Sequence, residues 1–181
     1  MKHRLVHTLV AMLCLATVIM PSFMASPVSA ASYTPTSVEC QFLHLINNYR
    51  AQHGLGSLKL KTTLGAAARY HSQDMANHNY LSHTLYDGTS AHQNMINFGY
   101  PSNTYWGENI YAGYGTGSNG IDNASALGAF TWWKNSPGHN ANMLSKNFYA
   151  IGIGRAYNAN STYKYYWTTD FGSYVGATIS C

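Results

Sequence analysis

Apolar residues along this chain recur at helical spacing through its first two thirds and alternate in strand fashion through the last third. Phe42, Leu45, Ile46 and Tyr49 share one helical face that Gly54 ends, with Ser37 placed as N-cap and Glu39 in the first turn. A second stripe of Leu64, Ala67, Ala68, His71 and Met75 predicts a helix over 63–77, and its alanines permit close approach to a neighbouring layer. Ser90 is placed to cap a third helix that carries Met95 and Ile96 and stops at Gly99. Residues 107–114 read as a buried strand, and 113–120, rich in Gly, Ser and Asn, as a mobile loop. A fourth helix over 123–134 presents Leu127, Phe130 and Trp133, and Ser136-Pro137 opens a final short one. Tyr149–Tyr157 and Tyr163–Gly172 have strand length and are separated by the turn Asn158-Ala159-Asn160-Ser161. Helices first and paired strands last predict an α+β fold with an antiparallel sheet.

The N-terminus follows a different logic. Lys2 and Arg4 precede an apolar run from Leu9 to Met20, and Val28-Ser29-Ala30 offers a small-residue cleavage site. The pattern is that of a signal peptide over 1–30, too short in its apolar part to span a bilayer. The expected mature chain comprises a leader over 31–40 and one domain over 41–181, exported to the extracellular space or held loosely at the cell wall. Two cysteines remain, Cys40 and Cys181. An oxidising compartment favours a bond between them, with free thiols or an intermolecular link as the alternatives.

Only 9% of the chain is charged, against about 25% in ordinary soluble domains. Without Lys2 and Arg4, eight basic residues face six acidic ones and are scattered, so no electrostatic footprint for nucleic acid exists. The fifteen tyrosines suit amphipathic packing, or a contact surface for sugars and other partners. The scarcity of carboxylates makes Glu108 conspicuous, because it lies between Tyr105-Trp106 and Ile110-Tyr111. A carboxylate buried in such a segment needs partners.

Leu81-Ser82-His83-Thr84, Gly107-Glu108-Asn109-Ile110 and the stretch from Ser136 to Asn142 supply two imidazoles and that carboxylate. His83 and His139 have the chemistry of zinc or other divalent-cation ligands, with Glu108 as a further candidate ligand. The competing reading makes Glu108 the acceptor of a purely structural hydrogen-bond network. Asn109, Ser136 and Asn142 are placed to support the site. His71 reads as a core histidine; His44, His53, His78 and His92 read as surface residues. Asp170 is expected at a sheet edge, satisfied by hydrogen bonds there. Ser82 and Ser136 lack a nucleophile elbow, and residues 113–120 lack the lysine of a phosphate loop.

Six segments in order, Leu45-Ile46-Asn47-Asn48-Tyr49-Arg50 with Gly54-Leu55, Ala67 to His83, Gly107 to Ile110, Trp133 to Asn142, Ile151 to Gly154 and Trp167 to Gly172, carry a resemblance. The chain resembles the CAP superfamily (cysteine-rich secretory proteins, antigen 5 and pathogenesis-related 1), in its bacterial SCP-like extracellular branch. The resemblance implies a three-layer α-β-α sandwich and a cleft in which His83, Glu108 and His139 are three members of a tetrad. Where plant and animal members carry a second glutamate, this chain has Asn135 and Ser136, which removes the obvious general base. The expected function is a secreted, non-enzymatic domain that binds a small ligand, a divalent ion, a lipid or an envelope component at this cleft. The alternatives are a metal-dependent, peptidase-like hydrolase using the same residues and an envelope interaction module.

Overall fold

A computed structural model describes residues 32–181; the expected signal peptide lies outside the described residues. Among the described residues, five helices and four strands follow one another as α1 (Ser37–Gln52), β1 (Lys59–Leu60), α2 (Thr62–His78), α3 (Ala91–Asn97), β2 (Trp106–Gly113), α4 (Ala126–Lys134), α5 (Pro137–Met143), β3 (Ala150–Tyr157) and β4 (Tyr165–Gly172). The sheet order is β1-β3-β4-β2. β4 runs antiparallel to both β2 and β3, whereas β1 pairs parallel to β3. The fold is thus the expected α+β sandwich, its sheet mixed rather than wholly antiparallel because of β1. Two residues are too few to show alternation, so sequence pattern did not reveal that strand.

Strand alternation sorts the sheet into two faces. Ile151, Ile153, Tyr111, Trp167 and Phe171 pack with Phe42, Ile46, Phe130 and Trp133 of α1 and α4. The opposite face carries Ala150, Ile110, Ala156 and Tyr166 against Leu64, Ala67 and Met75 of α2. Gly152 and Gly154 let α2 lie directly on β3: a Cβ at either would come within 2.0 Å or 2.3 Å of the Leu64 or Ala68 backbone. That approach fixes the height of α2 above the sheet, and with it His71.

The N-cap of α1 is Thr36 rather than Ser37. The Thr36 hydroxyl accepts from the Glu39 amide while the Glu39 carboxylate accepts from the Thr36 amide, a reciprocal capping box. Residues 32–36 are not the loose leader that composition implied, since Tyr33 is buried and its hydroxyl donates to the Ile153 carbonyl at 2.7 Å. Cys40 and Cys181 form a disulfide, and the Ile179 amide donates to Leu60 O beside β1. The α4 helix starts at Ala126 behind an N-cap at Ser125, three residues later than its apolar pattern implied, because residues 113–123 form a closed loop.

Candidate functional site

Glu108 lies on β2, an edge strand, and points to the α2 face of the sheet. Its side chain is almost fully buried. Each carboxylate oxygen meets an imidazole: Oε2 accepts from His71 Nδ1 at 2.7 Å and Oε1 from His83 Nδ1 at 2.7 Å. An ionised carboxylate only accepts, so both rings donate from Nδ1. Burial pushes the Glu108 carboxyl up, but the His71 and His83 hydrogen bonds and charges outweigh it and hold its pKa below the ordinary value. The bond to Glu108 raises the pKa of His83 despite partial burial.

His139 reaches the site from the other layer. Its Nδ1 pairs with Ser136 Oγ at 2.7 Å, so Ser136 spends its hydroxyl on the ring and makes no side-chain cap for α5. The peptide of His139 is fixed by Asn109 Nδ2, which donates to His139 O at 3.1 Å. Asn142 Nδ2 donates to Asn109 Oδ1 at 2.9 Å and to Glu108 O at 3.2 Å. The two amides therefore clamp α5 to the edge strand. Partial burial and the nearby charge of His83 lower the His139 pKa. Its ring also contacts Trp132, centroid to centroid 5.0 Å.

His83 binds Glu108 directly, and Asn109, Ser136 and Asn142 hold His139 and its helix against the strand that carries Glu108. The expectation for His71 is extended and that for Asp170 is corrected. His71 is buried but belongs to the site, bound to Glu108 and with a buried Nε2 that lacks a partner. Its place on the inner stripe of α2 was legible; that this stripe faces Glu108 was not. Asp170 is not at a sheet edge. It lies on β4, the strand flanked on both sides, directly opposite Glu108, and both its carboxyl oxygens are buried without a hydrogen-bond partner. Complete burial and then the charge of Glu108 push its pKa well above the ordinary aspartate value. His92 is only partly exposed and stacks on Trp106 at 4.8 Å.

With each Nδ1 anchored, the Nε2 atoms of His83 and His139 are the nitrogens left to a ligand. Imidazoles fixed through one nitrogen are suited to metal coordination through the other. Among the described residues no group of three or more His, Cys, Asp or Glu side chains is arranged to hold a metal. A bound cation would then take two protein ligands and fill its remaining positions from solvent or a second molecule. Glu108 fits an orienting partner, because both its oxygens are committed to imidazoles.

The model of the cysteine-rich secretory protein family (CAP) matches residues 43–171. The chain is 35% identical over 130 residues to the uncharacterized protein YkwD of Bacillus subtilis (strain 168), covering 72% of this chain and 45% of that one. It spans less than half the length of the curated relatives it matches. Among solved structures, an extracellular protein containing an SCP domain from Bacillus anthracis str. Ames superposes with a TM-score of 0.61 at 26% identity, over 74% of this chain and 39% of that one. An outer surface protein of Borrelia burgdorferi shares the fold, with a TM-score of 0.62 at 20% identity over 78% and 97% of the two chains.

Proposed function

The chain belongs to the CAP family, and on that premise we propose that it is an exported binding domain whose cleft takes a divalent transition-metal ion, zinc above all, through His83 and His139. The observation that carries this reading is the anchoring of both rings at Nδ1, by Glu108 and by Ser136. It leaves the two Nε2 atoms as the donors, which suit zinc when the rings are deprotonated there. Export is supported by the signal-like N-terminus, by the disulfide and by the extracellular description of the Bacillus anthracis protein. Among the described residues no helix is long and apolar enough to cross a membrane.

Binding is favoured over hydrolysis. Glu108 is engaged by two histidines and Asp170 is fully buried, so neither is positioned as a general base. The test is a thermal melt with and without zinc. Binding to the folded state at a hundredfold excess over Kd stabilises by about 2.7 kcal/mol, and the resulting rise in Tm should vanish in the His83→Ala, His139→Ala double variant. An unchanged Tm in the wild type, or a rise that survives in the double variant, overturns the reading.

A further inference from the structure

Next to the residues that contact His139, a cavity of about 420 Å3 opens between the 113–123 loop, α4 and the start of α5. Its wall includes Asn119, Asn123, Thr131, Asn135 and Ser136, together with the indole of Trp132, and no Asp, Glu, Lys or Arg lines it. We propose that this cavity is a binding subsite for an uncharged oligosaccharide, with Trp132 as its stacking platform. The inference goes beyond the cation reading and does not depend on it.

Three observations converge on a sugar. Trp132 is 47% exposed although large and apolar, and its ring is braced by Tyr111 at 5.4 Å and His139 at 5.0 Å. An indole fixed in this way offers an apolar face at little entropic cost, which suits the C–H face of a pyranose. The rim is composed of amides and hydroxyls, groups that both donate and accept and so match the hydroxyls of a neutral sugar. The absence of charge from the cavity wall disfavours phosphate, nucleotide or peptide-terminus ligands, which need ionic partners.

The rim is also preorganised. The loop that composition marked as mobile is closed by Gly117 N to Ile121 O at 2.9 Å, Asn123 N to Gly115 O at 2.9 Å and Gly120 N to Gly117 O at 3.0 Å. Asn119 Oδ1 turns back onto the Ile121 amide and Asp122 Oδ1 onto the Ala124 amide. Among the described residues, the side-chain amides of Asn123 and Asn135 take no part in this closure. Gly128 lets the loop press against α4, since a Cβ there would lie 2.4 Å from Asp122 O. Ile121 and Pro137 add apolar wall, enough to pack an acetamido methyl.

The experiment is isothermal titration calorimetry of the full chain with two β-1,4-linked trimers, one of glucose and one of N-acetylglucosamine, in the presence of a chelator and again with zinc. Saturable binding of at least one trimer is expected in both buffers, weakened about tenfold or more in Trp132→Ala and severalfold in Asn135→Ala. Preference for the acetylated trimer identifies an acetamido-sugar site; equal binding identifies recognition of the pyranose alone. Trp106→Ala, which removes an exposed aromatic stacked on His92 at 4.8 Å, should bind as the wild type does. Failure of both trimers to bind at millimolar concentration, or binding indifferent to folded Trp132→Ala and Asn135→Ala, overturns the proposal. Neither outcome touches the zinc-induced Tm rise, so the two readings fail separately.

Discussion

Two glutamates in this domain are almost completely buried, Glu39 on α1 and Glu108 on β2, and their surroundings differ in kind. Glu39 accepts from the Thr36 amide and hydroxyl, from the Arg69 guanidinium and from the Arg155 amide. Arg69 in turn covers the Tyr33 ring. Every donor is a permanent cation, a backbone group or a hydroxyl, so the site is finished by the fold itself. Glu108 has no such closure. Its donors are two imidazoles, one of them, His83, substantially exposed, and it faces Asp170, a second, fully buried carboxyl group. A carboxylate satisfied by arginine and backbone holds structure together, whereas one that also anchors a solvent-reaching, titratable ring has the surroundings expected of a functional site.

The largest effect should fall on the finished site and its surroundings. Replacing both Cys40 and Cys181 by serine is expected to destabilise by about 4 kcal/mol on the chain-entropy argument for a loop this long, read as a fall in Tm, with the zinc response of the remaining folded protein intact. Glu39→Ala should cost about 3 kcal/mol, from loss of the capping box and the Arg69 partner, again without altering cation affinity; a matching loss of zinc response would erase the distinction between the two glutamates.

At the other site the balance reverses. Glu108→Gln is expected to cost about 2 kcal/mol in stability but to lower zinc affinity by about 10–100-fold, as orienting partners of ligand histidines do; calorimetry reads both. The smallest effect has the opposite sign. Asp170 has a raised pKa in the fold, so it supports the fold below the ordinary aspartate range and works against it increasingly as pH rises toward the folded value. Glu108, with its lowered pKa, contributes above the ordinary glutamate range, and that contribution is lost as pH falls through its folded value. Asp170→Asn should therefore raise Tm by about 2–4 °C near neutral pH, roughly 1 kcal/mol, and give no gain in strong acid. A gain of equal size at both pH values would mean that ionisation of Asp170 is not the cause.

Much of the fold was legible because its elements are long and strongly periodic. The three main strands and the α1 and α2 stripes follow directly from the spacing of Phe42, Ile46, Leu64, Met75, Ile151 and Trp167. The misses have specific causes. β1 is too short to alternate, and the 113–123 loop is held by backbone hydrogen bonds to which composition is blind. The placement of Asp170 failed because strand order, which decides whether a residue is at an edge, depends on pairing between remote segments.

The sequence by itself determined the chemical inventory: two histidines and one glutamate in short motifs, a pair of cysteines beyond the signal-like segment, a charge content of only 9%, and helices preceding paired strands. Composition and periodicity are properties of neighbours along the chain, so they can be read there. The partnership of Glu108 with His71, its opposition to Asp170 and the bracing of Trp132 by Tyr111 and His139 were decided by tertiary structure alone. Each joins segments more than 20 residues apart or depends on the ring between them, and only the packing of α2 and α5 against the two faces and the edge of one sheet brings those groups within hydrogen-bonding or van der Waals reach.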